Sequence, residues 1–427
     1  MQILKNTAII SIFTLISQLL GVLRDKLLIS IVGVGVTLDI YNAAFKIPDL
    51  LIAVLVSFVG ITVIVPFLTS SLVKNSRLEL EKKFATLFVF FNSIILLFSI
   101  IIIFTLDLFL HRLFPAFTPE NLVLLSAATK LMLVQPMLMG MSNLFACLAQ
   151  TYKNFIYYAM APIFYNLGII FGIVFLYEKY NLMGLVYGVL IGAFLHIFIN
   201  SIFIFKNRVD VNLAYFDFKY IREILPVAGW RSIAFIIISL KQFSITIVSG
   251  LLGAGIITVW TFALNLVNMC VQFFATSYAI ASFPVLSEYY EKGEMDILES
   301  TIKKNVKEIF LYSIIFSMLM FFLAKFAVGI IYNSDARVLE LFYILIVAIP
   351  FLNLEQYYAR AMMAIHKVKM LSFMHVLSFV FLVISLYTFY KNEYNYTFIA
   401  YAYLSSTIIQ VMILYILGQK SLKRLLK

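Results

Sequence analysis

The sequence predicts an all-α, polytopic membrane protein with about twelve transmembrane helices in two six-helix lobes. Three observations carry this: an apolar excess with little charge, a one-sided distribution of basic loop residues, and an internal repeat. Of the 427 residues, 63% are hydrophobic and 12% charged, and the mean hydropathy is +1.01. A soluble domain is roughly half apolar and about a quarter charged. The composition therefore excludes a soluble enzyme, a disordered chain and a secreted disulfide scaffold. A membrane helix needs about 20 apolar residues. The apolar runs here are long rather than alternating over about ten residues, which excludes a β-barrel.

The apolar runs place spans at about 6–33, 38–72, 83–108, 121–149, 155–178, 182–205, 222–250, 253–286, 303–332, 337–364, 368–390 and 395–419. Loops on one side carry 20 basic residues, among them Lys5, Lys74, Arg77, Lys153, Arg208, Lys292, Lys367, Lys420, Lys423, Arg424 and Lys427. Loops on the other side carry 4: Arg112, Lys179, Arg337 and Lys391. Basic residues collect in cytoplasmic loops, so both termini are expected in the cytoplasm. The same rule accounts for the net charge of +11, and no nucleic-acid partner is expected. The first apolar run continues into Arg24-Asp25-Lys26 without a small-residue cleavage site, so no cleavable signal is read. Cys147 and Cys270 lie in apolar segments and offer neither a disulfide framework nor metal spacing. No metal or cofactor is expected.

Landmarks recur at nearly one offset. Gly33-x-Gly35 returns as Gly253-x-Gly255, Pro66-Phe67-Leu68 as Pro284-Val285-Leu286, and the Pro136 to Lys153 spacing as Pro350 to Lys367. Chance supplies one such pair but hardly three. The expectation is a half over 1–205, a cytoplasmic linker over 206–221 and a half over 222–427, related by a parallel pseudo-two-fold. Parallel repeats of this kind are a transporter design; a duplicated scaffold without transport is the plainer alternative.

Polar stripes mark the repeat-related spans. Span 1 carries Thr7, Ser11, Thr14, Gln18, Gly21 and Asp25 on one helix face, with Arg24 beside Gly21. Span 2 carries Asp39, Asn42, Lys46 and Asp49, then Ala53, Ser57 and Gly60. Span 7 carries Ser232, Ser239, Gln242, Thr246 and Ser249 with Lys241 adjacent, and span 8 carries Thr258, Thr261, Asn265, Asn268, Gln272 and Thr276. Close helix packing accounts for the small and hydroxyl residues alone. Charges are different, because each costs about 2.5–3.5 kcal/mol at the centre of a span. Arg24 lies roughly 27 Å along the helix from Lys5, too deep to reach the inner surface. The expectation is a water-filled cavity lined by Arg24, Asp25, Asp39 and Lys46; the alternative is a neutralised cluster with Arg24 paired to Asp39. Lys130 and Glu355 are deep enough to line the same cavity. Lys325 is read as snorkelling outward and Arg360 inward, with Arg231 near the cytoplasmic end of span 7. His196, His366 and His375 are scattered, without a carboxylate at fixed spacing, and are read as packed or interfacial.

Ser17-Gln18-Leu19-Leu20-Gly21-Val22-Leu23-Arg24-Asp25, Gly33-Val34-Gly35, Leu38-Asp39, Ala44-Phe45-Lys46-Ile47-Pro48-Asp49-Leu50-Leu51 and Val65-Pro66-Phe67-Leu68 resemble the motifs of the MurJ (MviN) lipid II flippase family. Weaker echoes are Ala161-Pro162-Ile163-Phe164-Tyr165-Asn166 and Phe283-Pro284-Val285-Leu286-Ser287. The resemblance implies the MATE-like fold of the multidrug/oligosaccharidyl-lipid/polysaccharide exporter superfamily, two six-helix lobes around a cationic cavity. Members usually carry fourteen helices, so it implies that a final pair is missing here. By position, Arg24 and Asp39 match family residues important for transport, with Asp25 and Lys46 in the same motifs. Three departures from the family pattern follow: its arginine in span 1 is Gln18 here, its arginine in span 8 falls at about Asn265, and its Arg-Arg after Pro-Asn-Leu-Leu and the Glu-Gly beyond are Ile52-Ala53 and Ser57-Phe58.

What the resemblance and the charges imply together is an alternating-access flippase, not an enzyme, in the bacterial cytoplasmic membrane. Its substrate would be an undecaprenyl-pyrophosphate-linked glycan, lipid II first, with a capsule or O-antigen repeat unit as the alternative. A drug antiporter would want an acidic cavity. A membrane glycosyl- or acyltransferase would want larger outer loops. For the pyrophosphate, Arg24 offers a forked donor and Lys46 and Lys241 point charges. Lys241 is expected to supply the charge that Asn265 no longer provides. The expected partners are the lipid-linked glycan and membrane lipids, with the chain a monomer.

Overall fold

The structure, a computed structural model, describes residues 2–425 except 59–60, 74–75, 210–214, 273–276, 366 and 393–394, and leaves undescribed the further side chains at 2–9, 54–58, 61–63, 73, 226–228, 231, 277, 279–281, 284 and 419–425. Gly60, Lys74, Thr276, His366 and Lys427 therefore lie outside the described residues, as do the side chains of Lys5, Thr7, Ser57, Phe58, Arg231, Pro284, Lys420, Lys423 and Arg424.

Among the described residues every regular element is helical. In chain order they are α1 (Gln2–Leu27), a π-helical turn (Leu28–Val32), α2 (Val36–Ala44), α3 (Lys46–Phe58), α4 (Ile61–Val73), α5 (Arg77–Leu113), α6 (Pro119–Met132), α7 (Val134–Thr151), α8 (Ile156–Phe171), a second π-helical turn (Gly172–Leu176), α9 (Tyr177–Tyr180) and α10 (Leu182–Lys206). The chain continues through α11 (Phe218–Leu251), α12 (Ile256–Val271), α13 (Ser277–Glu291), α14 (Met295–Tyr332), α15 (Ala336–Ile346), α16 (Ile349–Ala364), α17 (Val368–Lys391) and α18 (Phe398–Leu425).

Among the described residues, eight helices or helix pairs are long and apolar enough to cross a membrane, and a ninth if α15 and α16, bent by 54°, form one span. The first, second and eighth expected spans correspond to α1 with its π turn, to α2–α4, and to α12 with α13. The second span departs most from the sequence reading, which had one helix over 38–72. Pro48 has no N–H to donate to the Ala44 carbonyl, so the ladder of α2 stops there and α3 starts afresh at Lys46. The π turn that follows α1 ends at Gly33, whose φ of +83° suits glycine. α5 opens on the N-cap Ser76, whose Oγ accepts from the Glu79 N–H at 3.2 Å. α6 opens on Thr118, which accepts from the Asn121 N–H, followed by Pro119.

The chain forms two compact units, Met1–Ser239 and Leu240–Lys427, so the division falls within α11. The first has a core that includes Leu68, Phe84, Leu144, Leu148 and Phe203. The second has one that includes Leu298, Ile302, Tyr357, Met362 and Leu414. In the first unit α8 and α10 meet along glycines. A Cβ on Gly168 would stand 2.3 Å from the Gly192 Cα, and one on Gly188 2.6 Å from the Gly172 Cα. The backbones touch, as small-residue stripes permit in membrane helices.

Candidate functional site

The polar stripe of α1 sinks into the first unit as it advances. Ser11 and Thr14 are exposed, Gln18 and Gly21 half-buried, and Asp25 buried. Arg24 bends over its neighbour: Nε and Nη2 donate to Asp25 Oδ1 at 3.0 and 2.8 Å. Nη1 donates to Asn166 Oδ1 of α8 at 3.4 Å. Asn166 is itself pinned, since its Nδ2 lies 3.2 Å from Ser17 O, 3.2 Å from Ser17 Oγ and 3.1 Å from Pro162 O. Tyr41 and Tyr165 are close enough to interact with the Arg24 charge. Tyr165 OH accepts from Gln135 Nε2 at 3.0 Å, and its ring meets the His196 ring edge-on at 6.4 Å. His196 Nδ1 is held by Ser142 Oγ at 2.7 Å, a packed histidine as its isolation in the sequence suggests.

The Arg24 side chain remains 25% exposed. A guanidinium has five N–H donors; three are used in these bonds, and among the described residues the other two have no partner. Beside it, a Cβ on Gly21 would meet nothing within 4 Å. The arrangement can therefore take an anionic oxygen on the outer edge of Arg24, in competition with Asp25.

The other expected site residues are placed as follows. Asp39 is buried in the first turn of α2, where a helix N-terminus favours a carboxylate, and its N–H donates to Gly35 O at 3.0 Å. Lys46 is half-buried on α3 and interacts with the charge of Asp49. Lys130 does not join Arg24: it pairs with Asp107 of α5, which also accepts from Ser126. Lys325 is exposed.

Lys241 and Asn265 belong to the second unit. Asn265 is half-buried on α12. Lys241 is 7% exposed, and its Nζ donates to Ser378 Oγ at 2.6 Å and Gln410 Oε1 at 2.7 Å. Glu355 stands 3.7 Å from His375 Nε2. The sequence reading found no carboxylate at fixed spacing from His375; this one lies on a different helix, where no fixed spacing could reveal it.

Sequence reasoning missed Tyr41, Gln135, Ser378 and Gln410. It noticed Tyr165 and Asn166 only as a motif echo, and that echo was the available signal, because the two residues meet Arg24.

The family model for lipid II flippase MurJ matches residues 28–427. The chain belongs to the MurJ lipid II flippase family. A probable lipid II flippase MurJ of Borreliella burgdorferi is 25% identical over 428 residues, covering 96% of this chain and 82% of that protein. One of Buchnera aphidicola subsp. Acyrthosiphon pisum is 26% identical over 360 residues, covering 80% and 70%. Among solved structures, a lipid II flippase MurJ in an inward closed conformation superposes with a TM-score of 0.81 at 20% identity, covering 97% of this chain and 89% of that one. An inward-facing MATE multidrug transporter gives 0.80 at 15% identity, covering 96% and 95%. The fold is that of the MurJ and MATE transporters, and the chain is a multi-pass membrane protein of a bacterial transporter family. The motif around Arg24 lies just ahead of the region matched by the family model.

Proposed function

We propose that this MurJ-family chain flips lipid II across the bacterial cytoplasmic membrane by alternating access, and that Arg24 grips the pyrophosphate. The observation that carries the reading is the state of Arg24. It is deep in a span, oriented by Asp25 and Asn166, partly open, and has two donors left over. Flipping forms and breaks no covalent bond, so no catalytic set is required and the chain is not an enzyme. Asp39 and Lys46 set the local field on α2 and α3, and Gln18 offers a neutral polar contact on α1 where the family resemblance implies arginine. Lys241 is left out of the pyrophosphate contact, because its ammonium is buried inside the second unit and already donates to Ser378 and Gln410. The chain acts as a monomer with both termini in the cytoplasm.

The test is rescue of cells depleted of their lipid II flippase. The wild-type chain restores growth, whereas Arg24→Ala and Arg24→Lys do not, since a point charge lacks the fork. Failure of the wild type to rescue, together with movement of a capsule-type lipid-linked repeat, would transfer the reading to that substrate. Orientation is checked by cysteine labelling: a thiol at Asn181 should react from outside and one at Ser300 from the cytoplasm, and the reverse pattern refutes the topology.

A further inference from the structure

The second unit holds a buried polar chain that the pyrophosphate contact does not use. It runs from Lys241 on α11 through Gln410 on α18 to His375 on α17 and Glu355 on α16. Lys241, Gln410 and His375 are buried. Ionisable groups inside membrane helices are costly and mark ion or proton paths.

Donor and acceptor chemistry fixes how this chain is oriented. An ammonium only donates, so Gln410 must present Oε1 to Lys241, at 2.7 Å. Its Nε2 then faces His375 Nδ1 at 3.0 Å, and an amide nitrogen only donates. Nδ1 is therefore the acceptor, and the neutral ring carries its hydrogen on Nε2, the nitrogen nearest Glu355 Oε1 at 3.7 Å. Ser378 Oγ donates to Ser406 O at 3.0 Å and so receives the second Lys241 hydrogen bond as an acceptor. A cationic His375 would carry a hydrogen on Nδ1 and would need an oxygen from Gln410. One amide oxygen cannot face both cations. Gln410 serves a charged Lys241 or a charged His375.

We propose that Gln410 is the toggle of a site for one exchangeable proton, held on Lys241 or on His375. With the proton on Lys241, Nζ carries three hydrogens and ties α11 to α17 and α18. In the alternative state Lys241 releases one proton to water, and its lone pair accepts from the turned Gln410 amide. His375 Nδ1 takes one proton from water, donates to Gln410 Oε1, and the imidazolium pairs with Glu355, tying α17 to α16. Proton count and net charge of the site are equal in the two states. Among the described residues, the charges that act on His375 from the helices around it are Glu355 of α16 and Lys241 of α11, and Glu355 also faces Tyr403 of α18. Each proton passed re-pairs the helices of the second unit, which couples its conformation to a proton gradient. The coupling rests on the flippase reading above; the toggle does not.

The toggle is read by solid-state NMR of the full chain in bilayers with nitrogen-15 histidine, the His375 signals being assigned by their loss in His375→Asn. In the wild type at neutral pH, Nδ1 is expected unprotonated. In Lys241→Met the amide is free to turn, and in Gln410→Glu a carboxylate faces both partners, so Nδ1 becomes protonated in each. An unprotonated Nδ1 in whichever of these variants folds overturns the toggle. Coupling is read in proteoliposomes with a fluorescent lipid II. An imposed proton gradient should speed wild-type flipping about fivefold or more, whereas Gln410→Leu keeps the gradient-free rate and loses the stimulation. Flipping that ignores the gradient overturns the coupling. No lipid II flipping under either condition overturns the substrate reading instead, and the NMR result still upholds or overturns the toggle.

Discussion

Arg24 in the first unit and Lys241 in the second are both cations set deep in membrane helices, and they are housed in opposite ways. Arg24 shares its charge with an adjacent carboxylate, keeps a quarter of its side chain open and has donors to spare. Lys241 meets two neutral acceptors, one of which leads on to His375, and is almost closed. The first arrangement can receive an outside anion on the donors that Asp25 and Asn166 leave open, in competition with Asp25. The second is closed to one by burial, but its partners can exchange hydrogen-bonding roles. An intramembrane charge is therefore not by itself a substrate contact; its unused donors must also be open to one.

The comparison breaks most visibly in transport assays. Arg24→Ala should lower flipping by about 100-fold or more, the usual scale for removing one partner of a desolvated charge pair. Gln410→Leu should leave gradient-free flipping near the wild-type rate, and equal losses in the two variants would erase the distinction. Stability should separate the sites next. Arg24→Met removes the cation beside the buried Asp25 carboxylate and should cost about 3–5 kcal/mol in chemical denaturation. Adding Asp25→Asn should recover part of that stability and none of the transport. Lys241→Met leaves only neutral acceptors unpaired, so about 1–3 kcal/mol is expected.

Smaller effects test the frames that hold the two cations. Gly188→Ala forces a Cβ to within 2.6 Å of the Gly172 backbone and should destabilise the first unit by about 1–3 kcal/mol. Gly418→Ala in α18 meets only side-chain tips at 3.7 and 3.8 Å. It should stabilise by about 0.5–1 kcal/mol through helix propensity. Thermal midpoints in one detergent would rank the pair, and a reversed order would refute the close-approach argument.

Much of the fold was legible because hydropathy and loop charge act locally. The apolar runs of α5, α10, α14 and α17 mark themselves, and the Ser76 and Thr118 caps sit where the runs begin. The break in the second span was less legible, since apolar residues continue through Phe45 and only Pro48 betrays it. The site divides the same way. Arg24 and Asp25 are neighbours in sequence and stood out as charges in an apolar run. Asn166 is 142 residues from Arg24 and Gln410 is 169 from Lys241. A neutral amide in a helix looks like any packing residue until its partner is known.

The glycine contacts of α8 and α10 have a mechanical consequence. Where backbone rests on backbone, no side chain can rotate to let one helix slip past the other, so the pair behaves as a single stiff plate. Asn166 and Tyr165 are bolted to that plate, and Gln135 of α7 braces it from the side. Any stroke that changes the grip on Arg24 must then come from α1, whose backbone loosens into a π turn three residues after Asp25. Spin labels should report distances from α1 to α8 that vary between states of the transport cycle and a constant distance from α8 to α10. The hand that holds the substrate would open by moving its thumb while the palm stays rigid.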